Sequence, residues 1–416
     1  MRNDYVVIVL LFCYVFAFYI GPVSISILIC FPLYFMSLYN KALKKEIIFV
    51  VKTKYLRNVI KIMTIVLGLS IFYPIICMTF DFSYSKSLLI QYIHVIAAIP
   101  FLAFIRYRKS SLQDIEKYFI WIYVVQSVIE LIVLNNSYLS EAILSFNRYD
   151  PESGVGLGSS IRGKALSAAT DYHLSLSYGI AFIIFMMNYI SIKVNLKNII
   201  IGLIIFVGIF FAGRTGFVGC IVGIIGTYIY PSTHKKIKSI LKSIIIVVCI
   251  IAAVNLLLFT FFNTFYEYAM TEIIPYAFEF LDTLGEGGKA ESASTNRLKE
   301  MWGSDFSVFE LLFGSGNYCN PDGSYYMHVE PGFLRSLLFF GVTGYALIII
   351  FQFVLLPVWK MNGKRQYYYS MILIYLFLMD LKAVTISTNK FTFVICILLS
   401  FSYFYLPHSS FKFESK

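Results

Sequence analysis

Apolar residues run along this chain in blocks long enough to cross a bilayer, separated by shorter polar stretches rich in Lys, Arg, Gly and Ser. A spanning helix needs about 20 residues to cross roughly 30 Å of hydrocarbon. On that ruler the pattern predicts about twelve spans, at residues 5–20, 23–39, 59–80, 87–105, 117–134, 172–191, 198–212, 215–231, 239–262, 331–358, 367–388 and 391–406. Residues 198–231 must hold two of them, because one unbroken helix of that length would run about 50 Å at 1.5 Å per residue. Gly213 marks the break. The first block could pass for a signal-peptide core, but it ends in Gly21-Pro22 without a small-x-small cleavage site and leads straight into the second block. It reads as half of a retained helical hairpin.

The expected fold class is all-α, a polytopic integral membrane protein with a single membrane domain over residues 1–416. Its largest water-soluble piece is the loop 263–330, between the ninth and tenth spans, and a second loop rich in Gly and Ser occupies 135–170. Composition agrees, since 59% of 416 residues are hydrophobic and 14% charged, which excludes a string of soluble domains. Of the seven cysteines only Cys319 lies in a loop, so they form no disulfide framework. We find no internal repeat of 20 to 50 residues and no inverted halves.

The net charge of +11 would suit an anionic partner, but its distribution points elsewhere. With the N-terminus inside, 23 of the 34 Lys and Arg fall in inner loops and tails, notably 41–57, 106–117, 235–242 and 360–365. The positive-inside rule then accounts for the charge as topology, places both termini in the cytoplasm and removes the case for nucleic acid. The loops 135–170 and 263–330 and the turn Ala212-Gly213-Arg214-Thr215-Gly216 come out together on the extracytoplasmic side, as a site between helices requires.

Arg214 sits between two apolar blocks, flanked by Gly213 and Gly216. It is either a ligand-binding guanidinium that glycines let a substrate approach, or an arginine that snorkels to the headgroups. The 263–330 loop carries eleven acids against Lys289, Arg297 and Lys299, so any anion site in it must be local. Arg297 falls in a short predicted helix with an apolar stripe of Leu298, Met301 and Trp302, leaving it at the edge of a site or paired with Glu300 or Glu291. In His328-Val-Glu-Pro-Gly-Phe-Leu-Arg335 the proline suits the first turn of a helix. His328 and Glu330 then lie just outside the membrane, with Arg335 about 6 Å further in. A histidine and a carboxylate beside a buried cation offer a proton acceptor, although His328 could equally be a rim histidine bonded to loop backbone. Arg162 and Lys164 could close over a substrate or be solvated loop charges; Glu130, Asp380 and Lys382 lie near outer helix ends. Cys/His metal spacing, HExxH, GxSxG, Walker loops and DxD-like pairs are all missing, so the chemistry is expected to need neither metal nor cofactor.

These motifs resemble those of the O-antigen polymerase and O-antigen ligase family of bacterial surface polysaccharide assembly. The likeness rests on Ala212–Gly216, on Arg297 followed by Trp302 and Leu311-Leu-Phe-Gly-Ser-Gly316, and on His328 followed by the stretch from Gly332 to Gly344. The resemblance implies a glycosyltransferase of the lipid-carrier class in the bacterial inner membrane. It would join undecaprenyl-pyrophosphate-linked oligosaccharide repeat units at the outer leaflet, with a flippase and a chain-length regulator as partners besides membrane lipid. Under that reading Arg214 and Arg297 hold the pyrophosphate, Arg335 adds a phosphate contact, Arg162 and Lys164 belong to the substrate loop, and His328, with Glu330 as runner-up, is the general base. A ligase transferring polymer to a lipid A-core acceptor is the main alternative. A lipid-linked oligosaccharide flippase would instead need cations deep in the membrane, where His94 is the one candidate, and a non-enzymatic scaffold would need no clustering of Arg and His.

Overall fold

The computed structural model describes residues 5–134, 137–144, 146, 166–169, 171–190, 192, 195–230 and 293–408. The ninth expected span, Arg162, Lys164, most of the 135–170 loop and residues 263–292 of the larger loop lie outside these residues. What is described is mostly helical. The order is α1 (Tyr5–Phe16), a two-residue hairpin of β1 (Tyr19–Ile20) and β2 (Val23–Ser24), α2 (Ile25–Leu28), α3 (Cys30–Tyr39), α4 (Lys41–Lys52), α5 (Lys54–Ile76) and α6 (Ser83–Tyr107). Then come α7 (Leu112–Leu134), α8 (Ser137–Leu144), α9 (Asp171–Phe185) with a π-turn Met186–Ile190, α10 (Leu196–Ala212) and α11 (Thr215–Ile229). The C-terminal part holds α12 (Ala293–Trp302), α13 (Val308–Phe313), α14 (Gly332–Leu355), α15 (Gly363–Asp380) and α16 (Lys390–Tyr405).

By length and composition four of these helical segments can cross a membrane: Lys54–Ile76, Ser83–Tyr107, Tyr172–Ile190 and Gly332–Lys360. A fifth is possible if the bent pair Ile25–Tyr39 and Lys41–Lys52 is one span. Tyr5–Phe16, Leu196–Ala212, Thr215–Ile229 and Lys390–Tyr405 are apolar but shorter.

Helix starts follow local chemistry. Asn40, Asn195 and Asn389 each accept hydrogen bonds from backbone N–H groups of the turn they precede, at 2.8 to 3.3 Å, which satisfies donors that a helix leaves orphaned. The Asn40 cap corrects one expectation. Residues 41–52, read as inner loop, fold into α4, bent by 118° from the segment before it. Leu43 and Val50, seven residues apart, are its buried stripe.

The core is a continuous apolar cluster drawn from α1, α3 to α7, α9 to α11 and α14 to α16. Within it α9 and α11 approach so closely that a Cβ on Gly219 would lie 2.4 Å from the Gly179 Cα. Small residues let backbones meet in this way where burial from water does not drive helices together.

The two ends of the bundle differ. At one end, the basic end, Arg106 Nε bonds Glu46 Oε2 at 2.7 Å, and Arg365 holds the fully buried Glu116 through Nε and Nη2 at 2.8 and 3.0 Å. Tyr369 adds a hydroxyl donor to the same carboxylate. A buried carboxylate is tolerable only when so paired. These bonds join the segments 41–57, 106–117 and 360–365, which charge alone assigns to one side. At the other end, the loop end, Ala168 N bonds Phe16 O, Lys390 Nζ bonds Tyr19 Oη, Tyr172 Oη bonds Ala383 O, and Tyr318 Oη pairs with Thr388 Oγ1. The described parts of 135–170 and 263–330 therefore meet at the end opposite the basic one.

Candidate functional site

The loop end is built around a break in α14. Gly341 takes φ +70° inside that helix, in place of the continuous helix expected over 331–358. The break frees the carbonyls of Leu338 and Phe339, which accept from Ser315 N at 2.6 Å and Gly316 N at 3.1 Å. Gly314, at φ +76°, lies opposite, where a Cβ would sit 2.5 Å from Phe339 O. Two motifs that sequence reading treated separately, 311–316 and 332–344, thus form one junction.

From this junction the loop 314–331 returns over the turn between α5 and α6. Asp81 Oδ2 accepts from Tyr318 N and Cys319 N at 2.6 and 2.7 Å, and Thr79 Oγ1 donates to Gly316 O at 2.8 Å. Burial works to raise the Asp81 carboxyl, but the bonds from Ser83, Cys319 and Tyr318 outweigh it and hold it below the usual carboxylate range. Tyr73 Oη also donates to Phe313 O.

Arg335 lies in the first turn of α14, as expected, and is buried to 9% exposure. Its guanidinium carbon stands 3.4 Å from the ring centroid of Tyr325 and 4.4 Å from that of Tyr318. The Nε is buried without a hydrogen-bond partner; an unmade bond of this kind costs about 1–3 kcal/mol. Asp380 lies within electrostatic range, while its Oδ1 accepts from Thr385 N and Oγ1, both at 3.1 Å.

Arg297 projects from α12, and its Nη2 bonds Glu330 Oε1 at 3.0 Å rather than Glu300; Glu291, the other expected partner, lies outside the described residues. The pairing follows from packing. Met301 is buried and Trp302 meets Phe333 of α14 edge-on at 6.4 Å, which brings α12 against the residues just before that helix. Trp302 itself stays 48% exposed, so the expected apolar stripe is buried at Met301 and only partly elsewhere. Pro331 is the N-cap of α14, which begins at Gly332, one residue after the expected start. His328 is exposed at the end of a 3-10 turn, Tyr326–His328, and both Met327 and His328 take positive φ, +53° and +56°. Such backbone costs roughly 1–2 kcal/mol per residue outside glycine.

Arg214 is the N-cap residue of α11, half-buried, in a turn tied by one side chain from α9. Ser175 Oγ donates to Gly213 O and accepts from Gly216 N at 2.7 Å. One turn earlier on α9, Tyr172 bonds the carbonyls of Met379 and Ala383, on either side of Asp380. Through α9, therefore, the Arg214 turn is linked to the segment beside Arg335. Arg297 and Glu330 are paired directly; His328 and Arg335 lie two residues before and five after Glu330 in the chain, Arg335 being held by Tyr318 and Tyr325, and Arg214 is linked by the bridge through α9; Arg162 and Lys164 are outside the described residues.

Sequence reading missed Tyr318, Tyr325, Asp81 and Ser175. Only the tyrosines left a trace, in the aromatic run before His328. Asp380 was singled out as a helix-end acid and packs against the first turn of α14, where a Cβ on Gly332 would lie 2.6 Å from its Oδ1; Glu130 is buried with neither carboxylate oxygen hydrogen-bonded, and Lys382 lies on the turn after α15. Among the described residues no group of three or more His, Cys, Asp and Glu could hold a metal ion.

The arrangement offers cations graded from exposed to buried, with a histidine and a carboxylate at the exposed rim. It suits an anion presented beside a group that must lose a proton. In comparison with known proteins, the chain matches no protein-family model, no curated protein and no solved structure.

Proposed function

We propose that this protein is a polysaccharide polymerase of the bacterial inner membrane, joining oligosaccharide repeat units carried on undecaprenyl pyrophosphate. The observation that carries the reading is the pairing of Arg297 with Glu330 at the loop end, on the segment that runs from His328 to the buried Arg335, on motifs that resemble those of the O-antigen polymerase and ligase family. In this reading the chain has about twelve spans, both termini are cytoplasmic and the loop end faces outward.

The chemistry is displacement at the anomeric carbon of the growing glycan. The bond from that carbon to the pyrophosphate oxygen breaks, and a hydroxyl of the incoming unit forms the new glycosidic bond. The hydroxyl proton passes to His328, or to Glu330 as runner-up, and the carrier pyrophosphate leaves with the bonding electrons. Negative charge grows on the leaving oxygens, so fixed cations near them lower the barrier. Arg214 and Arg297 supply forked donors suited to phosphate oxygens, and Arg335 adds positive charge from behind its tyrosines.

Glycan analysis of a deletion strain tests the reading. Surface glycan capped by a single repeat is the result expected. Full polymer stranded on the carrier would make the protein a ligase, and carrier-linked units accumulating in the cytoplasm would make it a flippase.

A further inference from the structure

At the basic end, far from the residues above, Lys54 and Asn58 at the start of α5 share a concavity with Trp359 and Lys360, which lie on the turn after α14. Tyr55, Val354, Pro357, Phe404 and Tyr405 complete the wall. Two lysines from elements some 300 positions apart in sequence thus line one hollow, together with Asn58 and Trp359. Among the described residues no carboxylate lines the hollow, and Glu46 of α4 is bonded to Arg106.

The helix that leads into this hollow is unusual. On α4, Lys41, Lys44, Lys45 and Lys52 are exposed, and so are Ile48, Phe49 and Val51, at 41 to 45% for the three apolar residues. Water would leave those apolar side chains uncovered, and hydrocarbon would strand the lysines. The boundary between the two satisfies both, and the 118° bend turns α4 away from the direction of the segment before it. Trp359, 51% exposed, is of the residue type that settles at the same level.

We propose that α4 lies in the membrane interface and that the hollow formed by Lys54, Asn58, Trp359 and Lys360 binds the phosphate headgroup of an anionic phospholipid. A topological excess of positive charge explains lysines scattered over one face. It does not require two of them, an amide donor and an interfacial indole to converge. The lysines supply charge and donors to the phosphate, Asn58 Nδ2 supplies a further donor, and the acyl chains run along the exposed apolar side chains of α4. The site stands apart from the proposed polymerase chemistry.

Native mass spectrometry of the full-length protein in detergent tests it, comparing phosphatidylglycerol with phosphatidylcholine of the same acyl chains. The expected result is selective retention of phosphatidylglycerol. It should weaken about fivefold in Lys54→Gln and about thirtyfold in the Lys54→Gln, Lys360→Gln double variant, from the contribution of one cation near a lipid phosphate. The Lys44→Gln, Lys45→Gln double variant removes the same charge outside the hollow and should stay within about twofold. Equal retention of phosphatidylcholine, equal loss in the two double variants, or displacement of the lipid by inorganic phosphate at matched concentration would each overturn the proposal. If the first double variant does not fold, Lys360→Gln alone, on an exposed turn, carries the same fivefold expectation.

Discussion

Arg297 and Glu330 are bonded to each other, Nη2 to Oε1 at 3.0 Å, with both side chains open to solvent, at 64% and 42% exposure. So exposed a pair is worth about 0.2–1 kcal/mol. A pyrophosphate, with more charge and more acceptor oxygens, can displace the carboxylate from the guanidinium. The proposed phosphate ligand and the runner-up base are therefore one another's partners before substrate arrives. Arg297→Lys keeps the charge but loses the fork, and the polymerisation rate should fall about 10- to 100-fold, the worth of one charge-assisted hydrogen bond. Near-normal rate with purified carrier-linked units would remove Arg297 from the site.

The same pair separates the two candidate bases. Loss of a general base lowers turnover by about 10² to 10⁴. His328→Gln should show that loss, whereas Glu330→Gln should leave turnover within severalfold and lower KM for the donor, because Arg297 no longer has a carboxylate to release. The reverse pattern would move the base to Glu330.

Arg335 lies between the rings of Tyr325 and Tyr318, so lysine is not a conservative replacement there. Sequence alone suggests that Arg335→Lys is milder than Arg297→Lys, since a less direct contact depends on charge more than shape. The aromatic sandwich reverses that order: a compact ammonium loses the stacking on both faces, worth about 0.5–2 kcal/mol each. Melting temperature in detergent should fall with activity in Arg335→Lys, but only activity should fall in Arg297→Lys.

The junction of α13 with the break in α14 should resist substitution. At Gly341 a Cβ would lie 2.4 Å from Leu312 O, and its φ of +70° with ψ near 180° is backbone that side chains strain by about 1–3 kcal/mol. Gly341→Ala should lower the melting temperature, whereas Gly323→Ala, at φ +84° with nothing within 4 Å, should cost only the backbone strain. Equal melting temperatures for the two would mean the close approach is relieved without cost.

Asp81 makes the docking of the 314–331 loop sensitive to acid. Its pKa in the folded protein lies below the ordinary value of 3.8, so its contribution is complete above that value and is lost as pH falls through the lowered one. Proteolysis within 317–328 should accelerate only below about pH 4 in the native protein. In Asp81→Asn it should be faster at neutral pH and nearly independent of acid. Acid-independent protection in the native protein would dissociate the loop from Asp81.

Chelation offers a further check. Purified protein in excess chelator should polymerise at an undiminished rate, because the proposed charge stabilisers are arginines. Rescue of a chelator-inhibited reaction by magnesium or manganese would refute this.

Sequence alone determined the helical class, the placement of most described helices and the separation of a basic end from a loop end. All three follow from the transfer of side chains between water and hydrocarbon, a property each residue carries wherever it is packed. Arg335 was legible as buried for the same reason, since an arginine one turn into an apolar block has few other places to be. The partners were not legible. Glu330 opposite Arg297, Tyr325 and Tyr318 around Arg335, Asp81 under the 318–319 backbone and Ser175 across the Arg214 turn are separated in sequence by between 10 and 238 positions. Hydropathy has no term for such distances. The positive φ of Gly341 inside an apolar block, and the bend that makes α4 a helix of its own, were likewise decided by tertiary structure. A backbone break within a hydrophobic run is stable only where another segment, here Ser315 and Gly316, arrives to bond the carbonyls it exposes.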